Sequence, residues 1–472
     1  MFYVGVDIGT SSIKFIVLNE KLNITETIQR EVELSINKDN IVQYNPAQVY
    51  ELVRKELERL FSKYRHIRVG LSCHSPSLVI MDKGGNPLEA IIWLDKRAER
   101  EVSDLLALIN ERELYYKTGL RASPLFFPAK MLWVKKNKPW ILDKAKWIVQ
   151  LKDYVFYKLT GEPYTDYSMA SETQLFNISK KDYDDELLEI LNISKDQLFN
   201  LEPSIVAYKS KEIQNTEIAL GGVDSVVAAT GAGVVEESFA SIVAGSSACI
   251  DIPTNSPILN YESGFETYFH AVPNKYVLEA CLPTAGLAVD KIRELTSTQP
   301  DEYLGEESAA PSSNLLFLPF LMGIRSPDWK PDVKGLIYGI DLSTRRSDFL
   351  RAVYEGVAYW IREELELAEK LGLGIREIIT SGGMTHSTLF SKLLALITKR
   401  NVRLATTPEV TGLGAALIAG VSSGLINWSE IPRIAWSNIV YEPGEESAYY
   451  EDRYRLYIRL KKFLIELSRG SR

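Results

Sequence analysis

An acidic residue stands near the end of an apolar run at the start of the chain. Asp7 is the only charged residue between Phe2 and Ile8. A turn of small residues follows: Gly9, Thr10, Ser11 and Ser12. A carboxylate near the end of a buried strand is costly unless it is hydrogen-bonded or faces a cation. A metal ion and a phosphate group beside this turn would remove the cost, because small residues let backbone N–H groups approach an anion closely. The same residues also fit a plain β-hairpin in which Asp7 and Thr10 cap the turn.

Three further turns of small residues follow predicted strands in other parts of the chain. They are Gly221-Gly222, Gly245-Ser246-Ser247 and Gly382-Gly383-Met384. Asp224 lies two residues after the first of them and opens a run of small residues that is typical of a helix. One such turn is weak evidence of function. Four of them, spread over both halves of the chain and with acids beside two, predict a cleft that grips a nucleotide from both sides.

The elements that must position these turns alternate between strands and helices, which is typical of an α/β fold. Residues Ser238 to Ile252 repeat the opening design of strand, small-residue turn and strand, and this indicates a duplicated domain. We therefore expect an N-terminal domain over residues 1–235 and a C-terminal domain over residues 236–472, the second ending in a charged helix. Residues from about 110 to 210 are aromatic-rich and mostly helical in pattern, and they predict an insertion or lid.

Composition narrows the classes of function. The chain has 472 residues, 46% of them hydrophobic and 25% charged, which is typical of a soluble globular protein of two domains. Its net charge of −8 argues against a non-specific nucleic-acid binder. No basic leader precedes the first strand, and no apolar stretch reaches the ~18 residues of a membrane helix, so we expect a cytoplasmic protein that does not bind a membrane. The spacing of Cys73, Cys249 and Cys281 indicates a reducing compartment and no zinc site.

Longer motifs complete the pattern. The segment Gly335-Leu336-Ile337-Tyr338-Gly339-Ile340 is followed, after seven intervening residues, by Asp348-Phe349-Leu350-Arg351-Ala352-Val353-Tyr354-Glu355. Together with Asp7-Ile8-Gly9-Thr10-Ser11, Gly221-Gly222-Val223-Asp224 and Ser381-Gly382-Gly383-Met384, these segments resemble the FGGY family of carbohydrate kinases over essentially the whole chain. The resemblance implies two similar RNase H-like domains of the actin-like ATPase superfamily, with a nucleotide cleft between them.

The resemblance also implies a role for each site residue in phosphoryl transfer from ATP with Mg²⁺. Asp224 is expected to act as the general base, with an N-cap of the following helix as the alternative, and Asp7 is expected to hold Mg²⁺ through water. The residues expected to contact the phosphates are Gly9, Thr10, Ser11, Ser12, Gly245, Ser246 and Ser247. The residues expected to contact adenosine are Gly286, Gly382, Gly383, Met384, Ser387 and Gly412. For each glycine the alternative is a plain turn or close helix packing.

The segment expected to hold the sugar departs from the known branches of the family. Counting back from the family's Trp-x-Asp-x-Arg pattern, which starts here at Trp93, places this segment at residues 73–77. Glycerol kinases carry arginine and glutamate where this chain has Ser75 and Pro76, and a tyrosine where it has Leu125. Glycerol is therefore disfavoured. Xylulose and gluconate kinases carry a histidine two residues later than His74.

Other segments favour the xylulose and gluconate branch of the family. Residues 269–273 and 323–329 are similar to that branch, whereas Ser225 replaces a glutamine that commonly follows the base. The residues expected to contact the sugar are His74, Ser75, Trp93, Asp95 and Asp224. As alternatives, His74 is a surface or core histidine without a ligand, Trp93 is a core residue, and Asp95 is a partner of Arg97.

These features predict an enzyme that transfers the γ-phosphoryl group of MgATP to a hydroxyl of a small sugar, with a pentulose such as xylulose favoured. Another polyol or an aldonate such as gluconate is the alternative acceptor. A further alternative is a non-catalytic ATP-binding regulator of the same superfamily, which the departures at residues 73–77 and at Ser225 would fit. The expected partners are a sugar and ATP. The family also includes homodimers, although no long apolar stripe in the sequence marks an interface.

Overall fold

The computed structural model describes residues 1–36, 41–297, 314–445 and 447–469. The strands of the first half are β1 (Phe2–Ile8), β2 (Ser12–Leu18), β3 (Ile24–Glu31), β4 (Ser35–Ile36), β5 (Val42–Gln43), β6 (Ile67–Cys73), β7 (Leu78–Met81), β8 (Pro87–Ile91), β9 (Trp147–Gln150), β10 (Tyr164–Asp166), β11 (Phe176–Asn177), β12 (Asp182–Tyr183), β13 (Asn200–Glu202), β14 (Ala207–Lys209) and β15 (Glu217–Val223). Six of these strands form a mixed sheet in the order β14-β15-β6-β1-β2-β3.

The helices of the first half cover this sheet or form the segment beside it. They are α1 (Pro46–Tyr64), α2 (Glu101–Leu108), α3 (Glu111–Thr118), α4 (Phe127–Asn137), α5 (Pro139–Leu142), α6 (Leu151–Thr160), α7 (Tyr167–Ser171), α8 (Asp185–Leu191) and α9 (Asp224–Gly231). Residues 110–210 were expected to be mostly helical, but the short strands β9 to β14 also lie there. The side chain of Asn45 caps α1 by accepting a hydrogen bond from the Ala47 amide over 3.0 Å.

The second half forms a seven-stranded sheet. The strands of the second half are β16 (Phe239–Ala244), β17 (Ala248–Thr254), β18 (Glu266–Phe269), β19 (Tyr276–Leu282), β20 (Leu316–Leu318), β21 (Leu336–Tyr338), β22 (Glu377–Ser381), β23 (Asn401–Ala405) and β24 (Trp436–Tyr441). Strands β20 and β21 form a separate two-stranded sheet. The helices of the second half are α10 (Gly286–Thr296), α11 (Arg346–Lys370), α12 (Thr388–Thr398), α13 (Val410–Ser422), α14 (Ile431–Ala435) and α15 (Ser447–Arg469). The sheet order is β18-β19-β17-β16-β22-β23-β24.

The two sheets share one topology. The order β3-β2-β1-β6-β15 in the first sheet corresponds to β19-β17-β16-β22-β23 in the second. In each sheet the first two strands in the sequence form an antiparallel hairpin. Two later strands lie on the other side of the first hairpin strand and run parallel to it. The prediction of two similar α/β domains is therefore confirmed.

Helix α13 belongs to the second half of the chain but packs on the sheet of the first half. A Cβ atom on Gly5 of β1 would lie 1.9 Å from the Gly412 carbonyl oxygen. The same helix crosses α9, where a Cβ atom on Gly231 would lie 1.8 Å from the Val410 carbonyl oxygen. These glycines let the backbones touch, and the contact joins the two halves of the chain.

Two of the three cysteines form a disulfide bond in the second sheet. Cys249 on β17 lies opposite Cys281 on β19 and is bonded to it, whereas Cys73 is free and buried. The cysteine spacing alone indicates a reducing compartment, and the disulfide removes that indication. The pair is not visible in the sequence because its members are 32 positions apart and only the strand register brings them together. None of the described helices is long and apolar enough to span a bilayer.

Candidate active site

Asp7 lies near the carboxyl end of β1, beside the first small-residue turn. The Gly9 amide closes this turn by donating to the Ser12 carbonyl oxygen over 3.0 Å. Desolvation raises the pKa of Asp7 to about 7, an effect that the Lys14 ammonium opposes and the Glu409 carboxylate reinforces. Lys14 is the cross-strand partner of Asp7, and its Nζ lies 2.6 Å from a Glu409 carboxylate oxygen. A cation beside Asp7 would restore the charged form of this carboxyl.

The hydroxyl groups of the first turn remain accessible. Ser11 is exposed, and Thr10 and Ser12 are half-buried. The indole N–H of Trp93 donates to the Thr10 hydroxyl over 2.9 Å, and Trp93 is 37% exposed. Trp93 is therefore not a core residue, and it ties the segment expected to hold the sugar to the first turn.

A bulge in β15 brings Asp224 to the same edge of the sheet as Asp7. The register between β15 and β6 shifts at Gly221, whose φ is +69°. A Cβ atom on Gly221 would lie 1.6 Å from the Leu71 carbonyl oxygen, so only glycine fits there. Asp224 then begins α9, and its Oδ1 accepts a hydrogen bond from the Ser225 amide over 3.0 Å.

The carboxyl groups around Asp224 change its protonation. Desolvation raises the pKa of Asp224 to about 8, and the carboxylates of Asp7 and Glu279 add to the rise. A carboxylate with so high a pKa is a much stronger base than an ordinary one. Asp224 is also the first residue of α9 and not its cap, which is Val223, so the N-cap alternative does not describe it.

Buried polar groups hold the backbone that leads to Asp224. The Ser168 hydroxyl accepts a hydrogen bond from the Val223 amide over 3.1 Å and donates to Asp166. The Lys152 ammonium lies 2.6 Å from Asp166 Oδ2 and donates to the Leu220 carbonyl oxygen over 2.9 Å. This network fixes both ends of the bulge, so the position of Asp224 depends on α6 and α7 as well as on β15.

The second small-residue turn joins β16 to β17. The Gly245 amide donates to the Ser247 carbonyl oxygen over 2.9 Å, and the side chains of Ser246 and Ser247 are exposed. Gly286, the first residue of α10, lies against this turn. Its amide donates to the Gly245 carbonyl oxygen over 2.9 Å, and a Cβ atom on Gly286 would lie 2.5 Å from the same oxygen. The structure thus brings Gly286 to the predicted phosphate turn.

The third turn lies next to the second. Gly382 has a φ of +93°, and a Cβ atom there would lie 2.6 Å from the Ala244 carbonyl oxygen. A Cβ atom on Gly383 would meet nothing within 4 Å, so its backbone is open to a ligand. The Met384 side chain is buried in the core of the second half, which leaves only its backbone for adenosine. The Ser387 hydroxyl caps α12 by accepting a hydrogen bond from its first turn over 3.4 Å.

The prediction that Gly412 contacts adenosine needs correction. Gly412 is buried inside α13, where a Cβ atom would lie 2.6 Å from the Ile16 side chain. Its carbonyl oxygen approaches Gly5 on β1, as described above. The structure therefore supports the alternative for this glycine, close packing of a helix, because the residue sits between two elements of the protein.

His74 and Ser75 follow β6 and have different surroundings. His74 is 3% exposed, and its Nδ1 lies 2.8 Å from the Ser77 hydroxyl. Burial, with the nearby Lys130 ammonium, lowers the pKa of His74 to about 3, so the ring is neutral. The Nδ1 contact fits the alternative of a core histidine, whereas Nε2 is buried and has no hydrogen-bond partner among the described residues. The Ser75 hydroxyl accepts a hydrogen bond from the Gln150 side-chain amide over 2.9 Å.

Asp95 is committed to contacts within the protein. Its Oδ2 lies 2.6 Å from a guanidinium nitrogen of Arg97 and accepts a hydrogen bond from the Val42 amide over 2.9 Å. Asp95 Oδ1 accepts the Arg97 amide over 2.9 Å. The alternative of a partner for Arg97 is therefore the one that the structure supports, because the carboxylate oxygens of Asp95 are already bonded to protein donors.

A polar group that the sequence did not reveal connects the second sheet to the base. The Tyr268 hydroxyl lies 2.6 Å from the Ser225 hydroxyl and donates to Glu279 Oε2 over 2.5 Å. Glu279 and Glu266 are cross-strand partners, and the Arg325 guanidinium pairs with both. Glu279 stands alone among apolar residues of β19, which is the same signal that pointed to Asp7. Glu279 does not stand out in the sequence, however, because no turn of small residues follows it directly.

Sequence comparisons identify the family. The N-terminal domain of the FGGY family of carbohydrate kinases matches residues 2–238, and its C-terminal domain matches residues 240–423. A xylulose kinase of Staphylococcus xylosus is 28% identical, with 97% of this chain and 99% of the relative covered. A glycerol kinase of Thermococcus onnurineus is 30% identical, with 89% of each covered. A gluconokinase of Bacillus subtilis is 26% identical, with 98% and 96% covered.

Solved structures agree in fold. The ligand-bound xylulose kinase from Lactobacillus acidophilus superposes with a TM-score of 0.92 at 24% identity, with 98% of both chains covered. Plasmodium falciparum glycerol kinase with ADP gives a TM-score of 0.90 at 24% identity, again with 98% of both chains covered. The chain therefore belongs to the FGGY family of carbohydrate kinases and is a phosphotransferase enzyme.

Proposed function

We propose that this enzyme transfers the γ-phosphoryl group of MgATP to a hydroxyl group of a small sugar. Asp224 takes the proton of that hydroxyl, whose oxygen then attacks the γ-phosphorus while ADP leaves. The first and second small-residue turns hold the phosphates. The turn of Gly382 and Gly383 receives the adenosine, with Gly383 as its open backbone position. Closing the two domains excludes water, so that the sugar is phosphorylated instead of water.

The observation that carries this proposal is the placement of Asp7 and Asp224 at one sheet edge, with raised pKa values of about 7 and about 8. Two neighbouring carboxyls whose pKa values are raised by burial destabilise the protein when ionised, so such pairs are found mainly where chemistry needs them. This placement supports the proposal that the turn at Gly9 and the base serve the donor and the acceptor of the same phosphoryl group.

Asp7 is the residue that fits a magnesium ion. In the described part of the chain no three acidic, histidine or cysteine side chains are grouped to hold a metal ion. Magnesium suits such a site, because it takes one or two carboxylates and keeps most of its waters. When bound, the ion neutralises charge on the phosphates during transfer. Asp7 then needs only to orient the hydrated ion, and its carboxyl is half-buried at the turn.

The proposed acceptor is a pentulose such as xylulose. Support comes from the Staphylococcus xylosus relative that is named xylulose kinase and from the segments at residues 269–273 and 323–329. The gluconokinase relative makes an aldonate the second choice. Glycerol is disfavoured, despite relatives named glycerol kinase, because Ser75 and Pro76 replace the arginine and glutamate with which glycerol kinases bind it.

The base is tested with Asp224→Asn. A panel of ketoses, polyols and aldonates is assayed for coupled ADP release with the wild-type protein and the variant. We expect the variant to lose at least ~1,000-fold in kcat while ATP binding, followed by calorimetry, persists. The exposed Asp196, which pairs with Lys146 at the surface, provides the control variant Asp196→Asn, which should keep its activity.

Two outcomes would contradict the proposal in different ways. Near-normal activity of Asp224→Asn would show that another group acts as the base. If no panel compound raised ADP release of the wild-type protein above background, a nucleotide-binding regulator of the same superfamily would explain the chain better.

A further inference from the structure

Tyr268 belongs to the second sheet, but its side chain lies beside the base in the first half. It stands on β18 and is fully buried. Its ring packs in one apolar cluster with Val223 and Val226, the residues on either side of Asp224 and Ser225. The second half of the chain therefore supplies part of the packing around the first turn of α9.

The hydroxyl group of Tyr268 joins two polar side chains. It donates to Glu279 Oε2 over 2.5 Å, and it lies 2.6 Å from the Ser225 hydroxyl. A phenol has a single proton to donate. With that proton on Glu279, the Tyr268 oxygen accepts the proton of Ser225. The direction of both hydrogen bonds is thus set, from Ser225 through Tyr268 to Glu279.

Glu279 is itself held in place. The Arg325 guanidinium lies 3.6 Å from Glu279 Oε1, whereas the Tyr268 hydroxyl bonds to Oε2. Arg325 also pairs with Glu266, the cross-strand partner of Glu279. Hydrogen bonds to a charged group are the stronger ones, and a buried polar network whose members are bonded to one another is rigid. Tyr268 is therefore supported by an ion pair whose carboxylate is buried.

Ser225 passes this support on to the base. Its amide donates to Asp224 Oδ1 over 3.0 Å. The N-cap of α9 is Val223, and its apolar side chain cannot accept a hydrogen bond from the first turn of the helix. The Val223 amide donates to the Ser168 hydroxyl of the first half over 3.1 Å. Asp224 thus stands between two anchored neighbours, one held by the first half and the other by the second.

The orientation of a general base affects the rate of the reaction. The carboxylate must lie within hydrogen-bonding reach of the hydroxyl whose proton it takes, and a misplacement of about 1 Å costs ~100-fold in rate. Loss of one anchor lets the first turn of α9 adopt other orientations. The Tyr268 ring, in contrast, keeps its packing when only its hydroxyl is removed.

We propose that Tyr268 is a positioning residue for the base. Its hydroxyl fixes the Ser225 side chain, and through it the Asp224 carboxylate, in the orientation that takes the proton of the acceptor. The proposal rests on the role of Asp224 proposed above, and it assigns part of the catalytic geometry to the second half of the chain.

The first experiment removes the hydroxyl with Tyr268→Phe. In the ADP-release assay with the best acceptor of the panel, we expect kcat to fall ~30-fold while KM for ATP is unchanged. Tyr454→Phe is the matched control, because the buried Tyr454 also donates to a glutamate, Glu366, over 3.0 Å. Both variants should lose similar amounts in melting temperature, whereas the control should keep its kcat. A loss of kcat in Tyr268→Phe no larger than in the control would overturn the proposal and leave the kinase function standing.

The second experiment tests whether Tyr268 acts through Ser225. Ser225→Ala should lower kcat about as much as Tyr268→Phe, and the double variant should lose little more, because both changes break the same link. Losses that multiply in the double variant would show two independent roles and would overturn the proposal. A Ser225→Ala variant that raised only KM for the acceptor would overturn it as well, since Ser225 would then contact the acceptor instead of holding the base.

Crystal structures of the wild-type protein and of Tyr268→Phe separate this proposal from the kinase function. We expect the ring to keep its place, and the Ser225 hydroxyl and the Asp224 carboxylate to turn away from their wild-type positions. This displacement would support the positioning role even if the wild-type protein phosphorylated no compound of the panel. An Asp224 carboxylate in its wild-type orientation would overturn the positioning role, whatever the activity of the wild-type protein.

Discussion

The hairpins β1–β2 and β16–β17 occupy the same place in their sheets, but the side chains beside their turns differ in chemistry. In the first hairpin, Asp7 and Lys14 face each other in register just before and after the turn. The corresponding pair in the second hairpin is Val243 and Cys249. The first pair is charged, and its lysine forms an ion pair with Glu409 from the other half of the chain. In the second pair Val243 is apolar, and Cys249 is bonded covalently to Cys281.

The difference indicates that the two hairpins of the duplicated fold have different roles. Both turns are closed by a backbone hydrogen bond to a serine carbonyl, so both can present small residues to phosphate. Only the first has a carboxyl that suits a hydrated cation. The second is instead tied to β19, the strand that carries Glu279 and so faces Asp224. The first hairpin is therefore suited to bind a charged ligand. The second hairpin is suited to fix its own backbone and the neighbouring strand β19 in position.

The largest expected effect comes from removing the charge of the first hairpin. Asp7→Asn keeps the hydrogen-bonding shape but cannot neutralise a cation, so we expect kcat to fall ~1,000-fold at ordinary Mg²⁺ concentrations. Val243→Thr, the matched change in the second hairpin, keeps the β-branched shape and should leave kcat nearly unchanged. The measurement is ADP release against Mg²⁺ concentration for both variants. Equal losses in the two variants would mean that the hairpins do not divide the work as described.

A smaller effect is expected from opening the covalent bond of the second hairpin. The disulfide closes a loop of 32 residues, and a loop of this size contributes about 3 to 4 kcal/mol to the free energy of unfolding. The double variant Cys249→Ser/Cys281→Ser should lose about that amount in urea denaturation, while phosphoryl transfer continues. Wild-type protein treated with dithiothreitol should fall to the same stability. If dithiothreitol left the wild-type stability unchanged, the disulfide would not contribute in this way.

The sequence predicted those parts of the site that local signals mark. Asp7 and Asp224 each break an apolar run near a turn of small residues, and the structure places both at one sheet edge. The repeated hairpin predicted the duplication that the two sheets show. The same local signal misled at Gly412, where a glycine that lets α13 approach β1 has the appearance of a ligand-binding glycine. Close helix packing and backbone exposed to a ligand both require the absence of a side chain, and only the three-dimensional structure distinguishes the two.

Pairings between distant segments account for what the sequence did not reveal. Ser75, just after β6, is hydrogen-bonded to Gln150 at the end of β9, and Tyr268 reaches Ser225 from the other sheet. Each of these residues is ordinary in its own segment. The partner of Asp95 was predictable as an alternative, because Arg97 is only two residues away. The chance of finding a contact from sequence thus depended on whether its two members lie in one segment.

The smallest expected effect tests the charge balance around Asp7. Lys14 and Glu409 are each about a third exposed, so their ion pair should add no more than about 1 kcal/mol to the free energy of unfolding. Their effects on Asp7 should instead be opposite in sign. The Lys14 ammonium keeps the pKa of Asp7 from rising above about 7, so Lys14→Met should raise this pKa further and weaken Mg²⁺ binding near neutral pH. Glu409 raises the same pKa, so Glu409→Gln should lower it and strengthen Mg²⁺ binding.

The measurement is the Mg²⁺ concentration for half-maximal ADP release, as a function of pH. In an Asp7→Asn background both shifts should vanish, and shifts that persisted there would place the effect of Lys14 and Glu409 on the nucleotide rather than on Asp7.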